Sequence, residues 1–241
     1  MVIGIPKEIK DNENRVSIIP FGVEELVKKG HSVLVEKDAG IGSGITDSDY
    51  ISAGASIYDS PTEIFAESDM IVKVKEPLSS EIPMIKEGQI VFTYFHFAAS
   101  ESLTRGIIDS RCIAIAYETV ELDSGKLPLL VPMSEIAGRM ATQNGAKCLE
   151  ASMGGAGKLL SGVPGVEPAT VMIIGGGIVG MNAAKIASGL GAKVYILDIN
   201  QDQLKYIDDV MPSNVFTIYS NRHNILELLP KTDLLIGAVL V

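Results

Sequence analysis

A run of glycines between a wholly apolar strand and an alanine-rich helix limits this chain more than any other feature of its sequence. Residues 171–174 are apolar throughout and lead directly into Gly175-Gly176-Gly177-Ile178-Val179-Gly180. Residues 178–190 then continue with Ala183, Ala184 and Ala187 at helical spacing. A short strand without polar alternation is buried on both faces, which parallel sheets achieve by carrying helices on each side. The glycine turn therefore demands a βαβ unit inside a parallel α/β sheet.

The rest of the chain repeats that alternation. Strands are predicted at 2–5, 32–36, 69–75, 90–94 and 112–117, and again at 170–174, 194–198, 215–218 and 234–239. Amphipathic segments such as 20–29, closed by Gly30, and 100–110 lie between them. The expected fold is α/β with two doubly wound, mostly parallel sheets: a flavodoxin-like domain over 1–127 and a partial Rossmann domain over 128–241. The boundary falls in Leu122-Asp123-Ser124-Gly125-Lys126-Leu127-Pro128, where turn formers interrupt the pattern. After it, 133–152 reads as one long linking helix with Ser134 as N-cap, and the loop 161–168 leads into the second series. No repeat of solenoid period and no low-complexity stretch occurs.

The glycine run fits G-x-G-x-x-G with Gly175, Gly177 and Gly180 in the fixed positions. Alone the pattern means little in a chain with 24 glycines. Its context gives it weight, because the strand 194–198 ends at Asp198, 18 residues beyond Gly180. The first glycine makes a tight turn, the second admits a pyrophosphate to the backbone, and the third lets helix pack on strand. The helix N-terminus, with Ile178 and Val179 in its first turn, offers unpaired N–H groups to the phosphates. Asp198 would accept hydrogen bonds from ribose hydroxyls and repel a 2′-phosphate, so the cofactor expected is NAD rather than NADP. The alternative is a glycine-rich turn that holds no ligand.

Composition narrows the partners. The net charge of −10 disfavours nucleic acid. Mean hydropathy is high at +0.28, yet the apolar runs at 171–174 and 234–238 fall well short of the roughly 20 residues a membrane helix needs. The start goes straight into a strand without a leader. Cys112 and Cys148 lack metal-ligand spacing and read as reduced core thiols, so no metal is expected and the setting is cytoplasmic.

Ligands in open parallel sheets sit beyond the carboxyl ends of the strands. Those ends carry Pro6-Lys7-Glu8 with Arg15 close after, Lys73 and Lys75 on one face by alternation, Tyr94 with His96, and Tyr117-Glu118. Arg15 and the lysines suit a small carboxylate, and His96 suits proton transfer near neutral pH. Taken singly, a strand-end lysine commonly just reaches water, and a histidine between phenylalanines is often a core residue. His31 and His223 have no such company and read as surface residues.

These stretches resemble a known family. Gly4-Ile5-Pro6-Lys7-Glu8, with Glu13 and Arg15-Val16, is similar to the opening shared by alanine dehydrogenases and the nucleotide-binding first domain of proton-translocating transhydrogenases. Lys73-Val74-Lys75-Glu76-Pro77, Tyr94-Phe95-His96, Ala116-Tyr117-Glu118-Thr119 and the stretch 132–139 are specifically like alanine dehydrogenases. The resemblance implies that Arg15 and Lys75 bind the carboxylate of L-alanine or pyruvate and that His96 is the acid/base residue. Tyr94, Glu118 and Met133 would line the pocket. Ser134, the glycine loop, Asp198 and Ser220 would contact NAD. The implied reaction is reversible oxidative deamination of L-alanine to pyruvate and ammonium, in a homohexamer, within a cleft between domains.

Two departures stand out. Gln203 occupies a position where the family usually has a basic residue near the adenosine ribose, which implies weaker cofactor affinity. The sequence also stops where the family continues with further strands, a catalytic aspartate and an asparagine near the nicotinamide, so the chain reads as C-terminally truncated, with little turnover alone. A transhydrogenase nucleotide-binding domain is the rival enzyme reading, disfavoured by the Tyr94/His96 pair and by 133–139. A non-catalytic NAD-binding remnant, whose open sheet edge pairs with another polypeptide, is the third.

Overall fold

The computed structural model describes residues 1–239. The chain forms two compact units that divide between Leu129 and Leu130.

The first unit runs β1 (Val2–Ile5), α1 (Pro20–Lys28), β2 (Ser32–Glu36), α2 (Asp47–Ser52), β3 (Ser56–Tyr58), α3 (Pro61–Glu67), β4 (Met70–Lys75), β5 (Ile90–Tyr94), α4 (Glu101–Ser110) and β6 (Ile113–Ala116). Among the described residues its six strands form one parallel sheet in the order β3-β2-β1-β4-β5-β6. The five strands anticipated from sequence keep the flavodoxin order, and the three-residue β3 is added at the edge. Ile5, Val33 and Val35 pack on one side under Val23 and Tyr50. Phe65, Ile71, Val91 and Phe95 fill the other. Both faces are covered, as the apolar strands required.

Local chemistry sets the element ends. Thr46 and Asp49 form a reciprocal capping box at the start of α2. Ser60 and Ser100 cap α3 and α4. Tyr117–Thr119 is a turn of 3-10 helix rather than the end of β6, so Glu118 stands on a turn.

The second unit holds α5 (Val131–Cys148), β7 (Thr170–Ile174), α6 (Ile178–Gly189), β8 (Lys193–Asp198), α7 (Gln201–Val210), β9 (Val215–Tyr219), α8 (Arg222–Leu228) and β10 (Leu234–Gly237). The described strands pair in parallel in the order β10-β7-β8-β9. Val171, Ile173, Val194 and Ile196 are fully buried between the helix layers.

Helix α5 begins two residues earlier than expected. Pro132 sits within its first turn, where a proline lacks no needed donor. Ser134 is therefore inside the helix, donating its N–H to the Leu130 carbonyl, and is not the N-cap. The helix also stops at Cys148, and residues 151–153 make a separate 3-10 turn. Along α5, Gly138 and Gly145 permit a close approach. A Cβ at 138 would stand 2.2 Å from the Val179 carbonyl oxygen of α6, and one at 145 would stand 2.5 Å from Leu234.

Neither cysteine is fully buried: Cys112 packs partly against the first core, and Cys148 is exposed at the end of α5, where helical periodicity turns it outward. His31 is half-buried, whereas His223 is exposed beside Glu227. No described helix is long and apolar enough to cross a membrane.

Candidate functional site

In the first sheet, the chain direction across the strand order reverses between β1 and β4, so the crevice beyond their carboxyl ends is the natural ligand site. The loop leaving β1 delivers Glu8, Glu13 and Arg15 there. Glu13 grips Arg15 with both oxygens: Arg15 Nε donates to Oε1 at 2.8 Å and a terminal guanidinium nitrogen to Oε2 at 2.6 Å. The hydrogen bonds from Arg15 hold the Glu13 carboxyl below its usual range, and they raise the guanidinium further. Lys75 adds to the field that keeps Glu13 charged. Beside Arg15 a cleft of about 260 Å³ opens between residues 7–15 and the turn at 38–42, with Glu8 and Glu13 in its wall.

Strand β5 brings the aromatic members. Tyr94 pairs in register with Lys75 of β4. Its hydroxyl donates to the Leu129 carbonyl, and its ring meets Tyr117 edge-on at 4.8 Å. Burial raises the Tyr94 phenol, Arg15 pulls it back down, and Glu118 pushes it up, so all three lie within one electrostatic neighbourhood.

His96 follows in a left-handed conformation with φ 50°. The reason is local. Phe95 is buried and Phe97 packs against the same core, with their rings stacked 4.5 Å apart. Turning both phenyl groups inward throws the intervening histidine out, so His96 is exposed rather than a core residue. Its ring lies nearly parallel to Tyr94 at 6.1 Å, and its backbone N–H donates to Glu118 Oε1 at 2.7 Å. The other oxygen of Glu118 is buried without a hydrogen-bond partner, an acceptor available to a ligand's donor.

The structure thus gathers Arg15, Lys75, Tyr94, His96 and Glu118, and it removes Lys73. Lys73 is 1% exposed, with Nζ donating to Glu81 Oε1 at 2.8 Å and lying 3.3 Å from Glu8 Oε2. The pairing of β4 with β5 shifts register between Val72 and Lys75. This irregularity breaks the alternation that put both lysines on one face. Sequence reasoning gave no role to Glu8, Glu13 or Glu81. Only the Glu13-x-Arg15 spacing carried a local signal, because the other pairings join distant segments.

In the second unit the glycine turn leaves β7 beside β10, again where the strand order reverses. Gly175 has φ 106°, and a Cβ there would strike the Ala238 carbonyl oxygen. A Cβ on Gly180 would lie 1.8 Å from the Gly175 carbonyl oxygen, whereas one on Gly177 would meet nothing within 4 Å. Two glycines are therefore needed by the fold itself. The third faces open space beside the start of α6, whose N-terminus has no side-chain cap. Asp198 Oδ2 accepts from Gly176 N–H at 2.6 Å, and Ser220 N–H donates to the Asp198 carbonyl at 2.9 Å. Gln203 donates to the Gly176 carbonyl at 2.7 Å and so braces the turn. Met133 and Ser134 lie in the first turns of α5. An uncapped helix N-terminus, open space at Gly177 and an acid at the end of β8 fit a dinucleotide.

Fold and turn together define the class of doubly wound α/β proteins whose second unit opens a helix from a glycine-rich turn. Comparison with known proteins narrows this. The family description "Alanine dehydrogenase/PNT, N-terminal domain" matches residues 4–137, and "Alanine dehydrogenase/PNT, C-terminal domain" matches residues 141–241. The chain belongs to the alanine dehydrogenase/PNT family. It is 58% identical over all 241 residues to an alanine dehydrogenase of Methanococcus maripaludis and 55% identical to one of Staphylococcus saprophyticus. It spans 65% of the length of each. Among solved structures it matches an L-alanine dehydrogenase with TM-score 0.92 and 51% identity, over 100% of this chain and 66% of that one. A transhydrogenase from Sinorhizobium meliloti shares the fold, with TM-score 0.80 and 24% identity, over 100% of this chain and 70% of that one.

Proposed function

We propose that this chain carries the amino-acid site and the nucleotide turn of an L-alanine dehydrogenase, which converts L-alanine, NAD and water reversibly into pyruvate, ammonium and NADH. The observation that carries this reading is the gathering of Arg15, Lys75, Tyr94, His96 and Glu118 at one strand rim, in a sequence 58% identical to a protein named alanine dehydrogenase.

NAD, when bound, accepts a hydride from the alanine Cα. The chain's own residues do the rest. Arg15, pre-oriented by Glu13, and Lys75 hold the substrate carboxylate. His96, exposed and flanked by Tyr94, moves protons as water adds to the resulting imine and ammonia leaves. Asp198 and Ser220 would hold the adenosine ribose, Ser134 would contact the coenzyme, and the backbone at Gly177, Ile178 and Val179 would hold the pyrophosphate, a reading supported by the open, uncapped start of α6. Tyr94 lines the substrate pocket. Residues 1–127 form the substrate domain and 128–241 the NAD domain. The proposed setting is the cytoplasm and the assembly a homohexamer, both supported by the family resemblance alone.

Titration with NAD and with pyruvate, followed by alanine-dependent NADH formation in a version extended to the length of its relatives, tests the reading. Binding of both ligands and alanine-dependent turnover are expected. Turnover with a second nucleotide but not with alanine would favour a transhydrogenase role instead.

A further inference from the structure

Beneath the rim lies a buried charge network that the proposed chemistry does not use. Glu8, Lys73 and Glu81 have side chains 3%, 1% and 3% exposed. Two carboxylates and one ammonium are thus sealed together. Buried charges persist only where partners compensate their lost hydration. Glu81 is used locally, with Oε1 on Lys73 and Oε2 accepting the Leu78 N–H at 2.8 Å. Glu8 reaches across the crevice. Its Oε1 accepts the Val74 N–H at 2.6 Å and stands 3.4 Å from the Lys75 N–H, while Oε2 faces Lys73.

These bonds fall on the register shift between Val72 and Lys75. At an irregular strand end the ladder no longer fixes the backbone, so a side chain must do so. We infer that Glu8 is a positioning residue: by its reach to the Val74 N–H, its side chain clamps β4 and thereby sets where Lys75 stands beside the Glu13–Arg15 pair. The inference deepens the proposed function, and its bearing on ligand rests on the reading that Lys75 holds the substrate carboxylate.

Reach and charge make opposite demands here, which gives a test. In the full 241-residue chain, Glu8→Gln keeps the length and an acceptor for Val74 but loses the charge. Glu8→Asp keeps the charge and falls one methylene short. Glu81→Gln disturbs the same network away from Val74. Amide hydrogen exchange at Val74 and Lys75, without ligand, reads the clamp directly. Pyruvate titration reads its consequence.

Glu8→Asp is expected to speed exchange at Val74 about tenfold and to weaken pyruvate binding by a similar factor, the equivalent of one lost charge-assisted hydrogen bond. Glu8→Gln and Glu81→Gln should stay within about threefold of the parent in both. Exchange at Val74 unchanged in Glu8→Asp, or Glu8→Gln worse than Glu8→Asp, overturns the inference. So does an equal loss of pyruvate affinity in Glu81→Gln. Failure of the parent chain to bind pyruvate while Val74 exchange still responds to Glu8→Asp would remove the substrate reading and leave the clamp standing.

Discussion

Asp198 closes the glycine turn it follows in sequence: its Oδ2 accepts the Gly176 N–H at 2.6 Å, tying the end of β8 to the loop that leaves β7. The same carboxylate accepts the Asn200 N–H through Oδ1 at 2.8 Å. One side chain thus shapes the turn and presents acceptor lone pairs at the strand ends. Replacement by alanine removes both functions. Asp198→Ala is expected to weaken NAD binding by more than about tenfold, with NAD titration as the measurement. Selectivity against NADP should fall as well, since the repelling charge is gone.

The glycines separate folding from binding. Gly180→Ala places a methyl group 1.8 Å from the Gly175 carbonyl oxygen, which must move. A loss of about 3 kcal/mol or failure to fold is expected by denaturant titration. Gly177→Ala meets no protein atom within 4 Å, and stability should change by less than about 1 kcal/mol. NAD affinity should nonetheless drop, because the methyl group intrudes where a pyrophosphate approaches the backbone.

Arg15 and Glu13 titrate as partners. Glu13 is held below the usual carboxylate range chiefly by hydrogen bonds from Arg15. A depressed carboxylate adds stability that is present above its unfolded pKa and is lost as pH falls through the folded one. Arg15→Met should raise the Glu13 pKa, seen by carbon NMR, and abolish the extra acid resistance. Pyruvate affinity should fall in the same variant, whereas Arg15→Lys should recover only part of it, because an ammonium cannot make the two-pronged contact.

Tyr50 offers a measurement at the other end of the pH scale. Its side chain is fully buried, its hydroxyl donates to the Ile18 carbonyl at 2.8 Å, and burial pushes its pKa up to about 12. The unfolded phenol ionises near 10, so the folded chain binds more protons between those values and stability declines as pH rises through that window. Tyr50→Phe should remove this alkaline decline and lower neutral-pH stability by about 1 kcal/mol, since the Ile18 carbonyl loses its donor. Thermal unfolding across pH would decide.

What could be read from the sequence was local in cause. Apolar runs and the glycine turn specify parallel strands because burial on both faces leaves no room for polar alternation. Strand β3 escaped because three residues cannot display a period. Lys73 was misplaced because the register shift that buries it depends on β5, far along the chain. Ser134 resembled a cap, but Pro132 two residues earlier could take the first turn and moved the helix start. Glu8 could be placed at the strand-end rim but not given its partners, since Lys73 and Val74 lie more than 60 residues away.

The bare backbone at Gly138 rests against the Val179 carbonyl, in the first turn of the helix that opens from the glycine loop. With no side chain to act as a cushion, α5 and α6 are geared together like two meshed rods. Any side chain at 138 would therefore press on the first turn of α6, and through it on the glycine loop from which that helix opens.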